Sequence, residues 1–179
     1  ANFLKKKKIN FIKIREPGGN PNSEKIRKLI LNNKSTFNKS TDLLLYLASR
    51  SENIELIKKN FKKKIILIDR FTDSTIAYQH YGMGIDLRFI NLINQFLLKN
   101  IKPDFTFVNL VNKKNMYIRL SKRKNLNRYD KFRDKFYEKV QKGFSKIVKK
   151  NPTKYMVVDS NRDIHSNKKL ILTKINKLI

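Results

Sequence analysis

Residues 64–79 read KIILIDRFTDSTIAYQ. Ile65, Ile66, Leu67 and Ile68 run on without the polar alternation of a half-exposed strand, which predicts a strand covered on both faces, as in a parallel sheet. Asp69 and Arg70 follow at once, so they are pushed out at the strand's carboxyl end. Three further runs read the same way: INFIKI (9–14), DFTFVNL (104–110) and YMVVD (155–159). Helical patterns lie between them. They cover 23–32 with Ser23 as cap, 41–59, 72–79, 87–99 capped by Asp86, 114–123, 131–149 and 164–178. Strands alternating with helices predict an α/β, doubly wound fold. No repeat or linker interrupts the pattern, so one domain over 1–179 suffices. In such sheets ligands bind beyond the carboxyl ends of the strands. REPGG (15–19) closes the first strand and Asp69-Arg70 the second, which makes that rim the expected site.

Composition narrows the classes. Lys+Arg number 42 and Asp+Glu 14, a net charge of 42 − 14 = +28. That balance suits a polyanionic or phosphorylated partner. The basic residues are nevertheless spread over every segment, so a general drift toward Lys, Asn and Ile explains the charge equally well. Cysteine is absent, which excludes disulfides and thiolate metal sites. Only His80 and His165 supply imidazole. No apolar run approaches the roughly 20 residues of a membrane span, and KKKK (5–8) is not followed by a cleavage pattern. The expectation is a cytoplasmic protein without a membrane partner. Helix-turn-helix, RRM, KH and zinc patterns are not seen, so a nucleic-acid partner is not expected.

Several short stretches carry chemistry. After a buried strand, Arg70 can clamp a phosphate with two parallel bonds, and Asp69 can orient it or a metal-bound water; a structural ion pair is the alternative. In REPGG the two glycines permit a sharp turn close to a ligand, with Arg15 and Glu16 on the same rim. A plain strand-to-helix turn would look alike. Arg27 lies one turn into the next helix and can reach back toward an anion or remain in solvent. Tyr46 and Arg50 in LLLYLASR are four apart and share a helix face, as base-reading or core residues. Thr75, Tyr78 and Gln79 in STIAYQ offer hydroxyls and an amide suited to a pyrimidine edge and a sugar. The stretch KRKNLNRYDKFRDKF (122–136) reads as a mobile basic lid or as a solvated loop.

Taken in order, these motifs resemble the thymidylate kinase family over essentially the whole chain. The resemblance rests on REPGG with SEKIR (23–27), LLLYLASR, DRFTDSTIAYQHYGMGID, PDFTFVNL, RLSKRKNLNRYD and VVDS. It implies phosphoryl transfer from ATP to dTMP, Mg²⁺ as cofactor, a nucleotide as small-molecule partner and a homodimer. It implies a P-loop nucleoside-monophosphate-kinase-like parallel sheet flanked by helices. Residue by residue, it implies that Tyr46 stacks on thymine and Arg50 bonds a base carbonyl. Arg70 holds the dTMP phosphate, with Asp69 beside it near the metal. Ser74, Thr75 and Gln79 line the base edge, and Tyr78 crowds the sugar's 2′ position. Glu16 and Arg27 border sugar and phosphate, and Arg123 and Arg128 are the lid arginines, within about 122–131.

One element of the pattern is not found. Of Gly18, Gly19, Gly82, Gly84 and Gly143, none opens a G-x-x-x-x-G-K-[ST] loop, the element that cradles donor phosphates. ANFLKKKK (1–8) reads as the tail of the helix that follows such a loop. The expectation is therefore a chain incomplete at its start, lacking the first, central strand, with a gap in the sheet, low stability and little activity. A basic nucleic-acid-binding protein and a non-catalytic dTMP-binding relic are the alternative readings.

Overall fold

The computed structural model describes residues 1–179. A short helix α1 (Asn2–Lys6) leads into β1 (Phe11–Arg15), α2 (Pro21–Leu31), α3 (Lys39–Asn60) and β2 (Ile65–Asp69). Next come α4 (Thr72–Thr75), a π-helical segment (Ile76–Gly82), α5 (Leu87–Leu98), β3 (Thr106–Leu110) and α6 (Lys113–Ser121). A 3-10 turn (Arg128–Lys131), α7 (Asp134–Lys150), a second 3-10 turn (Pro152–Lys154), β4 (Tyr155–Asp159) and α8 (Ile164–Asn176) complete the chain. The alternation of strand and helix is the α/β architecture read from the sequence.

All strand pairing is parallel, and the strands form two separate pairs. β1 pairs with β2, Phe11 opposite Ile65 through Arg15 opposite Asp69. β3 pairs with β4, Thr106 opposite Tyr155 through Leu110 opposite Asp159. The two pairs share no ladder, so each strand is hydrogen-bonded on one side only. The accessible surface is 12120 Å², whereas a compact monomer of this mass exposes about 9,000 Å². The core is correspondingly divided. Ile14, Ile54, Ile57 and Leu98 form one cluster, Leu43, Leu47 and Ile90 a second, and Ala77, Val140 and Ile147 a third.

Local chemistry explains the element boundaries. The Asn20 side chain accepts from the Ser23 amide and Pro21 opens α2, a favoured first-turn arrangement. Asn20 is thus the cap expected of Ser23, whose hydroxyl turns inward to Gly18 and Ser49. Asn38 caps α3, Asp86 caps α5 and Asp163 caps α8. The stretch 72–79, expected as a short α-helix, widens after Thr75 into i→i+5 geometry, with the Met83 amide donating to the Tyr78 carbonyl at 3.0 Å. α7 packs closely on this wide turn. A Cβ at Gly143 would come within 2.6 Å of the Tyr81 ring, so only glycine allows the approach.

Candidate acceptor site

Register builds the rim. Because Arg15 lies opposite Asp69, the next residues, Glu16 and Arg70, emerge side by side although 54 positions separate them. The Glu16 amide donates to the Asp69 carbonyl at 2.9 Å and extends the ladder by one rung. Arg70 has φ +65°, a left-handed conformation uncommon outside glycine. Its guanidinium carbon lies 5.0 Å from the Tyr78 ring centroid.

The glycine turn is held by side chains. Gly18 and Gly19 have φ +111° and +113°, and a Cβ on Gly19 would come within 2.9 Å of Asn53 Oδ1. The Gly18 amide donates to Ser23 and Ser49, and the Gly19 amide to Glu24 Oε1 at 2.9 Å. Both amides are therefore committed, and this turn is no phosphate cradle. Arg15 pairs with Glu24 at 2.9 Å, so it serves the turn. Arg27 Nη1 donates to the Pro17 carbonyl at 2.7 Å, which turns its side chain back toward the rim. Burial lowers the Arg27 pKa, and Arg15 and Arg70 nearby lower it further. Glu24 and Tyr46 partly offset them.

Beneath the rim lies a buried polar network. The inward stripe of α3 runs Leu43, Leu47, Arg50, Ile54, Ile57, with an arginine where an aliphatic residue would ordinarily stand. Arg50 is 1% exposed. It donates to Glu16 Oε2 through Nε and Nη2 (2.9 and 2.7 Å), to Thr75 Oγ1 (3.0 Å) and to Asn94 Oδ1 (2.6 Å). These bonds use four of its five N–H donors. Glu16 Oε1 is buried without a protein partner. The Arg50 face expected to meet a base is thus mostly committed to the protein, with one Nη1 hydrogen left over.

Tyr46, Tyr78 and Tyr129 cluster beside the rim. Tyr129 meets Tyr46 and Tyr78 edge-on at 6.0 and 6.1 Å. Gln79 is buried, and its amide donates to Asp42 Oδ2 at 3.3 Å. Ser74 is half-buried one residue before Thr75. Asp69 is exposed at the strand tip. The two lid arginines diverge. Arg123 pairs with Asp130 at 2.7 Å and stays half-exposed, whereas Arg128 turns toward α3 and pairs with Asp42. Asp42, Asn94 and Tyr129 are the residues that sequence reasoning passed over. Asn94 had a signal, being the polar residue in the apolar stripe of α5 that includes Ile90 and Leu98.

Burial raises the pKa of Tyr46, Tyr129, Tyr137 and Tyr155, the last to about 12, where Asp73 also opposes ionisation. In the unfolded chain these phenols ionise near pH 10. Their contribution to stability is therefore complete below pH 10 and is lost as pH rises through the folded values. Absorbance titration at 295 nm is expected to show four of the seven tyrosines lagging behind the others. All seven titrating together near pH 10 in the folded state would contradict this burial.

A parallel α/β scaffold with cations and aromatic rings gathered at its strand tips suits a phosphorylated ligand with a flat ring. Comparison with known proteins agrees. The thymidylate kinase family model matches residues 1–171. A thymidylate kinase of Mycoplasma capricolum subsp. capricolum is 41% identical over 157 residues, covering 84% of this chain and 73% of the relative. That of Thermosipho africanus is 38% identical over 166 residues, covering 92% and 82%. The crystal structure of thymidylate kinase from Ehrlichia chaffeensis superposes with TM-score 0.73 at 32% identity, covering 93% of this chain and 80% of that one. The chain belongs to the thymidylate kinase family.

Proposed function

We propose that this protein carries the acceptor site for phosphoryl transfer from ATP to dTMP, giving dTDP for dTTP synthesis. The observation that supports this reading best is the placement of Arg70 at the strand tip over the Tyr78 ring, beside the Tyr46–Tyr129–Tyr78 cluster. Tyr46 supplies a ring for the base. The spare Arg50 N–H faces its carbonyl, and Thr75, Ser74 and Gln79 shape the edge. Tyr78 excludes a 2′-hydroxyl, and Glu16 borders the sugar. Arg70 and Arg27 hold the acceptor phosphate in line. Its oxygen forms a bond to the γ-phosphorus of ATP while the bond to the ADP oxygen breaks, and lid arginine offsets the charge that develops.

Mg²⁺ fits this site through Asp69. It is a single exposed carboxylate at a strand tip, and Mg²⁺ commonly takes one carboxylate, waters and substrate phosphates. The metal would supply charge neutralisation at the transferred phosphoryl group. Residues 1–179 contain no G-x-x-x-x-G-K-[ST] loop for the donor.

We also read the protein as one domain with a lid at about 122–131, as cytoplasmic, and as a homodimer. No helix is long and apolar enough to cross a membrane. Phe89, Leu92 and Phe96 repeat at i, i+3 and i+7 on α5 and are exposed, Phe96 at 77%. Leu44 on α3, which packs beside α5, is exposed as well. An apolar stripe of this kind suits a second copy of the chain.

Titration of tyrosine fluorescence with dTMP, dUMP and dCMP tests the reading. dTMP is expected to bind best, and dCMP at least about ten-fold more weakly, because its amino group opposes the Arg50 donor. Tight binding to DNA at physiological salt with no dTMP response would replace the kinase reading by a nucleic-acid one.

A further inference from the structure

Asp42 lies in the first turn of α3 and is 1% exposed. Three donors from distant parts of the chain converge on its carboxylate. Arg128 pairs with Oδ1. The Tyr129 hydroxyl donates to Oδ2, and the Gln79 amide donates to the same oxygen at 3.3 Å. One side chain thus joins α3, the π-helical segment that lines the acceptor site, and the 3-10 turn of the lid. Secondary contacts hold the same turn. Arg128 Nε donates to the Ile30 carbonyl at 3.2 Å, and its guanidinium lies 5.6 Å from the Phe37 ring centroid. Asn33 donates to the Leu126 carbonyl at 2.7 Å.

The two lid arginines are therefore unlike. Arg123 bonds Asp130 within the lid and is itself 55% exposed, while Asp130 is 7% exposed. Arg128 is 11% exposed and tied to a buried carboxylate. Such an ion pair is costly to break from either side, because the surviving charge stays desolvated. A residue so held makes a pivot and a poor mobile group.

We infer that Asp42 is the positioning residue of the lid, clamping the Arg128–Tyr129 turn against the acceptor helices so that Arg123 is the arginine left to meet the transferred phosphoryl group. The assignment to phosphoryl transfer rests on the function proposed above; the clamp itself does not. Asp42 also fixes the Gln79 amide, so the clamp couples lid position to the base edge of the site.

The test is limited trypsin digestion of the 179-residue chain without nucleotide, with cleavage sites mapped by mass spectrometry. Asp42→Asn keeps the shape and removes the charge. It is expected to raise cleavage after Arg123, Lys124, Arg128 and Lys131 by about ten-fold or more, because local opening becomes cheaper. Cleavage after Lys62, Lys63 and Lys64 should be unchanged. Tyr129→Phe removes one bond and should give a smaller rise at the same sites. In the Asp42→Asn/Arg128→Gln double variant, which has no trypsin site at 128, cleavage after Arg123, Lys124 and Lys131 should be no faster than in Asp42→Asn, since the two residues act as a pair. Additive effects, unchanged lid cleavage in a folded Asp42→Asn variant, or a uniform rise at all sites would overturn the clamp. A dTMP titration of the unsubstituted chain runs beside it. If that titration fails while the proteolysis pattern holds, the clamp stands and the nucleotide reading falls.

Discussion

Arg50→Ala is expected to cost the fold about 3–5 kcal/mol, because it strands the Glu16 carboxylate in a site from which water is excluded. Domains of this kind are stable by only about 5–15 kcal/mol, so the variant should be largely unfolded under mild denaturant. Urea unfolding followed by circular dichroism reads this as a fall in midpoint with an unchanged slope. The structural share of the loss can be separated from the functional one. Glu16→Gln/Arg50→Met replaces the buried pair by neutral groups of similar volume and should recover most of the stability, since a desolvated pair often contributes little beyond what apolar packing would. It should not recover dTMP binding, because the remaining Arg50 N–H is lost with the side chain. A single variant Arg50→Ala as stable as the parent would show that the Glu16–Arg50 network is not formed. A double variant that binds dTMP normally would remove Arg50 from the acceptor site.

Arg70→Gly should behave in the opposite way. Arg70 adopts φ +65°, which costs a non-glycine residue about 1–2 kcal/mol. Glycine relieves that strain, while the contact with the Tyr78 ring that is given up contributes about 0.5–1 kcal/mol. The melting temperature is therefore expected to hold or rise slightly. Acceptor affinity should fall by about 100-fold or more, as expected when a charged pair to a phosphate is truncated. Arg70→Lys should restore only part of it, because a point charge lacks the two-pronged geometry. An Arg70→Gly protein that keeps its dTMP affinity would mean that the phosphate lies elsewhere. The contrast is diagnostic: the two variants separate a residue that would join fold and proposed site from one whose strained backbone would serve the proposed site.

The fold was legible where periodicity is strong. The continuous run Ile65–Ile68 marked a covered parallel strand, and YMVVD marked β4 to the residue. Asp86 announced the start of α5 correctly. The widening of 76–82 was invisible, because i→i+4 and i→i+5 turns draw on the same residues and the choice is made by packing against Gly143 and Val140. REPGG and Asp69-Arg70 stood out because both end strands, and register sets them side by side. The commitments of those residues were not legible. An arginine in the stripe Leu43–Leu47–Arg50–Ile54 looks the same whether it faces a ligand or a carboxylate contributed from residue 16. Asp42 was hidden by a second role, since an acidic residue in a first helical turn is already explained by the helix dipole. Its lid partners lie 86 and 87 residues away, a separation that local reasoning cannot bridge.

The seat of α7 on the wide turn has a mechanical consequence. A Cβ at Gly82 would meet the Phe136 ring at 2.6 Å, and one at Gly143 the Tyr81 ring at 2.6 Å. The two segments are keyed to one another at two points, so a methyl group added at either glycine pushes them apart. That seam is a latch, and its fit sets where Tyr78 and Gln79 stand.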